Sequence, residues 1–174
     1  MNIIGDKVIL RAIESDDNNM LLEIINDAET EYMLGGWSFP VSQKDQELWT
    51  VSLKQDDRVL RCTIEAAGKP AGVVILTDID YKNGNAEVHI KLAPNADFRG
   101  KGYGTDAIST VVNYAFKELR LVCIYSRVSS HNIPSQKLFL KCGFSKEGIL
   151  KSRIYKCNKY IDIFSYSILN TKEV

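Results

Sequence analysis

Between residues 86 and 119 the chain changes from a two-residue to a 3.6-residue repeat of apolar side chains, across the segment Arg99-Gly100-Lys101-Gly102-Tyr103-Gly104-Thr105. No other feature constrains the fold as much. Val88, Ile90 and Leu92 alternate with Glu87, His89 and Lys91, as in a strand with one face on the core. Ile108, Val111, Val112, Ala115, Phe116 and Leu119 then fall on one helical stripe. A strand entering a helix through glycines leaves a row of backbone N–H groups at the helix start, where the helix dipole favours an anion. Arg99 and Lys101 add full positive charge. The segment therefore predicts a phosphate or pyrophosphate site. Its spacing is not that of a P-loop, and G-x-G-x-G fits the dinucleotide fingerprint G-x-G-x-x-G poorly.

The rest of the chain places this unit in a layered fold. Val8 to Ala12 reads as a first strand. Ser15 reads as a helix N-cap, with Asp16 and Asp17 in the first turn and Met20, Leu21, Ile24 and Ile25 as the apolar face. Gly35 to Pro40 reads as a loop, and a second helix starts after Ser42 and runs through Leu48, Trp49 and Leu53. Strands follow at Leu60 to Ala66, Ala71 to Ile79 and Ala86 to Leu92, punctuated by Gly68-Lys69-Pro70 and Asn83-Gly84-Asn85. After the long helix, Val122 to Val128 reads as a buried strand. Asn132 and Pro134 open a helix that Gly143 ends, with Leu138, Phe139 and Cys142 toward the core. Phe144 to Tyr155 and Tyr160 to Leu169 close the chain as a hairpin. This order predicts an α+β fold of mixed α/β layers.

Composition narrows the function classes. The 174 residues suit one domain spanning 1–174. Formal net charge is zero, so no overall field draws the chain to nucleic acid. No apolar run approaches the ~20 residues that span a bilayer, and residues 1–10 lack the pattern of a secretory signal. Cys62, Cys123, Cys142 and Cys157 form no C-x-x-C, and with His89 and His131 they complete no metal-ligand spacing. Reduced thiols in a cytoplasmic, metal-free protein are expected.

A second segment, Asn132-x-x-Ser135-x-x-Leu138-Phe139-x-Lys141-x-Gly143-Phe144, follows the buried strand. With Arg99-x-x-Gly102-x-Gly104 it resembles the two motifs of the GNAT N-acetyltransferase superfamily. The C-terminal stretch from Gly143 to Leu169 is similar to the branch of ribosomal-protein N-terminal and spermidine acetyltransferases. The resemblance implies the GNAT acyl-CoA N-acyltransferase fold, a mostly antiparallel sheet of about six to seven strands with helices on both faces. It implies acetyl-CoA as co-substrate and a primary amine as acceptor: a peptide N-terminus, an amino sugar or a polyamine. Carried over, the backbone amides of Gly100, Lys101, Gly102, Tyr103, Gly104 and Thr105 hold the pyrophosphate, with Arg99 shaping the loop. Ile90, Lys91 and Leu92 splay from the neighbouring strand and bind the pantetheine arm. Asn132 contacts the cofactor and Ser135 lies near its thiol.

The amine must lose a proton to attack the thioester, since its pKa of ~10 keeps it charged near neutrality. Glu87 is the expected base, and His89, on the same strand face, is the alternative as a proton relay. Many members of the family carry a tyrosine after the Leu138 position, to protonate the departing thiolate. Phe139 stands there, so either Ser135 or water takes that part or the thiolate leaves unprotonated, which a thiol pKa of ~8.5 allows. Tyr32, Trp37, Phe39 and Trp49 fall near the expected acceptor site, as do the acids Asp27, Glu29 and Glu31. Because Phe139 has no proton to give, a non-catalytic acetyl-CoA-binding regulatory module is the alternative. The C-terminal strand would offer an edge for a homodimer.

Overall fold

A computed structural model describes residues 1–36 and 39–171, so Trp37 lies outside the described residues. Its centre is one eight-stranded sheet of order β1-β2-β3-β4-β5-β6-β8-β7. The strands are β1 (Ile3–Ile4), β2 (Val8–Arg11), β3 (Leu60–Ala66), β4 (Lys69–Asp80), β5 (Asn85–Leu92), β6 (Cys123–Ser129), β7 (Ser145–Lys156) and β8 (Lys159–Leu169). The helices are α1 (Asn18–Asn26), α2 (Ala28–Leu34), α3 (Gln43–Ser52), α4 (Tyr103–Lys117) and α5 (Ile133–Lys141). All neighbouring strands run antiparallel except β5 and β6.

Two layers of helix cover the sheet. Ala107, Ile108, Val111 and Ala115 of α4 pack into the main core with Val74, Leu76, Val88 and Ile124. On the opposite face, Met20, Leu21 and Ile24 of α1 pack on Val73 and Ala93. Turn chemistry sets the hairpins. Cys157 and Asn158 both take positive φ between β7 and β8, as a two-residue hairpin turn requires. The Asp80 carboxylate accepts from the N–H groups of Lys82 and Asn83, at 3.0 and 2.9 Å, and shapes the turn before β5.

Four elements depart from the sequence reading. The sheet has eight strands because of β1, whose two residues are too few for alternation to show. The turn after β1 is pinned to α4, where the Asp106 carboxylate accepts from the N–H groups of Lys7 and Val8 at 2.7 and 3.0 Å. The first helical region divides: Asp27 adopts an extended ψ of 118° and its side chain caps α2 through Thr30 N–H. Ser15 is not the N-cap of α1. Ser15–Asp17 form a single 3-10 turn capped by Glu14, and α1 starts at Asn18. Finally, β8 lies between β6 and β7, so the exposed sheet edge belongs to β7 rather than to the C-terminal strand.

Candidate active site

The one parallel pair opens into a V. β5 and β6 share only three positions, Asn85 with Cys123, Ala86 with Ile124 and Glu87 with Tyr125. Beyond them β5 continues paired with β4 as far as Leu92, and β6 continues paired with β8 as far as Ser129. The two arms diverge with no ladder between them, which is the splay expected at Ile90, Lys91 and Leu92. The segment lies close against β4: a Cβ on Gly72 would sit 2.3 Å from the Lys91 carbonyl oxygen, so only glycine fits there.

A cavity of about 500 Å³ fills the mouth of the V. Ile90, Lys91 and Leu92 line it, with Arg99, Gly100, Gly102, Tyr103, Gly104 and Thr105 at the start of α4. Gly100 and Gly102 take φ of 75° and 84°, the left-handed conformation that turns successive N–H groups to one side. The first α4 amide to find a partner is that of Asp106, on the Gly102 carbonyl at 3.0 Å. Among the described residues no hydrogen bond engages the N–H groups of residues 100–105. The chain thus presents a row of unpaired donors at the positive end of a 15-residue helix. Lys101 does not line the cavity; its carbonyl accepts from Lys7 Nζ at 3.2 Å.

Helix α5 forms a second wall through Asn132, Ser135, Leu138, Lys137 and Lys141. Asn132 is buried; its Oδ1 caps the helix by accepting from Ser135 N–H at 3.1 Å, and its Nδ2 donates to the Met33 carbonyl at 3.3 Å. It therefore ties α5 to α2, whose Glu29, Thr30, Met33 and Leu34 form the third wall. Lys137 escaped the sequence reading and Lys141 entered it only as a motif position, although their i, i+4 spacing on one helix face was visible. Phe139 does not reach the cavity. It is 2% exposed and packs edge-on against Phe144 at 5.0 Å.

Glu87 stands at the vertex, on the last shared rung. It is 2% exposed. Arg127 Nε donates to its Oε1 at 2.9 Å and Arg127 Nη2 to its Oε2, an arrangement that holds the guanidinium above its usual pKa against the pull of burial. His89 Nε2 lies 3.9 Å from Glu87 Oε2. Sequence reasoning passed over Arg127; a lone charge on an otherwise buried strand was the available signal. The acids of α2 are committed: Asp27 caps Thr30, Glu29 meets Arg99 at 3.2 Å and Glu31 meets Lys156. Tyr32 packs at a tilt against His131, ring centroids 4.6 Å apart, while Phe39 and Trp49 are 69% and 40% exposed.

Residues 7–145 match the family described as the acetyltransferase (GNAT) domain. The chain belongs to the GNAT acetyltransferase family. An uncharacterized N-acetyltransferase of Bacillus licheniformis is 30% identical over 168 residues, 94% of this chain and 93% of that one. The spermidine N(1)-acetyltransferase of Vibrio cholerae is 29% identical, over 97% and 96% of the two chains. The solved structure of spermidine N-acetyltransferase from Vibrio cholerae, in complex with CoA and spermine, superposes with a TM-score of 0.85 at 28% identity, covering 95% of this chain and 97% of that one. The chain is thus an acetyl-CoA-dependent N-acetyltransferase. No helix among its described residues is long and apolar enough to cross a membrane.

Proposed function

We propose that acetyl-CoA lies in the V with its pyrophosphate on the N–H groups of residues 100–105 and its pantetheine arm along Ile90–Leu92. Arg99, Lys137 and Lys141 supply the surrounding positive charge. The two peptide-like amides of that arm meet the backbone groups that β5 and β6 leave without a ladder partner. Asn132 holds the α5 wall in place. Ser135, one turn in from it, stands toward the thiol end and gives the departing thiolate its proton, directly or through water.

The amine enters from the face of the sheet opposite α4, where Glu87, Arg127 and His89 cluster at the vertex. There it attacks the thioester carbonyl, with Glu87 supplying the negative charge that draws off its proton. The observation that carries this reading is the coincidence, in one cavity, of a row of unpaired N–H groups and a gap in the strand ladder.

For the acceptor, the spermidine relatives suggest a polyamine and a putative ribosomal N-acetyltransferase of Bacillus subtilis, 26% identical, suggests a peptide N-terminus. A polycation calls for free carboxylates. Asp27, Glu29 and Glu31 each already hold a protein partner, which supports a single amine, and a peptide N-terminus ahead of an amino sugar. The test is CoA release from acetyl-CoA over a panel of peptides beginning with Ala, Ser or Met, spermidine, spermine and amino sugars. Turnover with the peptides is expected. Turnover with spermidine alone reassigns the acceptor. Tight acetyl-CoA binding with no CoA release from any amine favours the regulatory module.

A further inference from the structure

His89 stands on β5 two positions past the last rung shared with β6, on the same face as Glu87 and at the first place where that face is open. The cavity proposed for the cofactor opens toward the other face: a Cβ on Gly104 of α4 would meet Ile90 Cδ1 at 3.7 Å and Leu92 Cδ1 at 3.3 Å, so these side chains point to the α4 layer. An amine arriving from the His89 face therefore reaches the thioester through the opening between the arms. At that opening the His89 side chain is 40% exposed and that of Glu87 only 3%. Both Glu87 oxygens are engaged by Arg127. The carboxylate is thus enclosed and already paired, whereas the imidazole stands exposed at the opening.

The charged groups that act on the ring are Glu87 and Lys91 on β5, Asp78 on β4 and Arg127 on β6; Tyr125 on β6 is the register partner of Glu87. Burial pushes the imidazolium below its ordinary pKa; Arg127 and Lys91 act in the same direction, and Glu87 and Asp78 oppose them. The ring is neutral near pH 7. Its Nε2 lies 3.0 Å from Thr77 Oγ1. With Nε2–H donating to that oxygen, Nδ1 keeps its lone pair for an incoming proton.

We propose that His89 is the catalytic base of the acetyl transfer, and that Glu87, clamped by Arg127, stabilises the imidazolium that forms. This rests on the acetyltransferase reading of the cavity. The nitrogen–carbon bond forms and the carbon–sulfur bond breaks. The ammonium gives one proton to Nδ1, which passes it to water; the second nitrogen proton leaves the tetrahedral adduct and reaches the CoA thiolate through water or through the Ser135 hydroxyl, which takes up one proton as it gives one. Glu87 thus acts on the ring through its charge, 3.9 Å from Nε2, while Thr77 holds that nitrogen's hydrogen bond.

The experiment compares wild type, His89→Gln and His89→Ala with the amine that the panel identifies. Expected are a fall in kcat of about a hundredfold in both variants and an unchanged acetyl-CoA Kd. Added imidazole should restore turnover in His89→Ala. The acidic decline of kcat in the wild type should be absent in His89→Gln. A kcat near wild type in either variant, or a loss that imidazole does not restore, overturns the assignment of His89 alone. A wild type that binds acetyl-CoA but acetylates no amine overturns the acetyltransferase reading and this inference with it.

Discussion

At residue scale the sharpest demands fall on Gly102. It must hold φ at 84°, and it caps the helix whose first amides are proposed to bind a pyrophosphate. Asp and Asn have the same shape and both tolerate left-handed backbone, so a pair of substitutions separates charge from conformation. Gly102→Asn should keep much of the CoA affinity. Gly102→Asp, which places a carboxylate among the amides, should bind CoA at least about tenfold more weakly than Gly102→Asn, roughly 1.4 kcal/mol, by titration calorimetry. Equal affinities would remove the phosphate from this loop. These residues were legible because glycine spacing and a strand-to-helix change are written in order along the chain. Arg127 and the enclosure of Glu87 were not, because both depend on which strand becomes the neighbour of β5. β6 follows α4 in sequence, and no local pattern states that Arg127 will reach Glu87, 40 residues earlier.

Helix α5 shows what one cap does for an element. Its nine residues are too few to be stable alone. Asn132 satisfies the N-terminus through Ser135 N–H and crosses to the C-terminal turn of α2 through Met33. Asn132→Ala should cost about 1 kcal/mol from the cap, a fall in Tm of roughly 2–4 °C for a domain of this size, measured by calorimetry without ligand. Asn132→Ser should recover most of that Tm while leaving the tie to α2 broken, so its CoA affinity should remain reduced. Recovery of both would show that α5 alone matters to the cavity. The start of α5 was readable from Asn132 and Pro134, and its end from Gly143. The α1–α2 break was not, since Asp27 is an acid among acids in that stretch and interrupts no apolar spacing. β1 was hidden for a different reason: its pairing is secured from α4 by Asp106, about 100 residues away in sequence.

Across the whole molecule, one buried carboxylate joins three segments. Asp17, 1% exposed, receives Arg11 Nη1 and Nη2 at 2.9 Å each, Thr63 Oγ1 at 2.7 Å and Glu14 N–H at 2.9 Å. It thus links β2, β3 and the turn that leads into α1. The sequence suggested only a favourable first-turn acid. Burial works against its charge, yet the hydrogen bonds from Arg11, Glu14 and Thr63 hold its pKa below the usual carboxylate range. A lowered folded-state pKa means that its stabilisation is complete above the unfolded value of about 3.9 and is lost as pH falls through the folded value. Asp17→Asn should cost about 3–5 kcal/mol at pH 7, and in urea titrations the gap from wild type should narrow only below about pH 4. A gap constant from pH 7 to pH 3 would mean that shape rather than charge holds the junction. In its interior the same sheet narrows to three rungs between β5 and β6. A coenzyme arm that lies there is a strand made of another material, read through main-chain groups that every residue carries. Away from Gly72, side-chain change leaves such contacts in place, so this half of the site tolerates drift in sequence. The other face can change its acceptor while the enzyme goes on using the same acyl carrier.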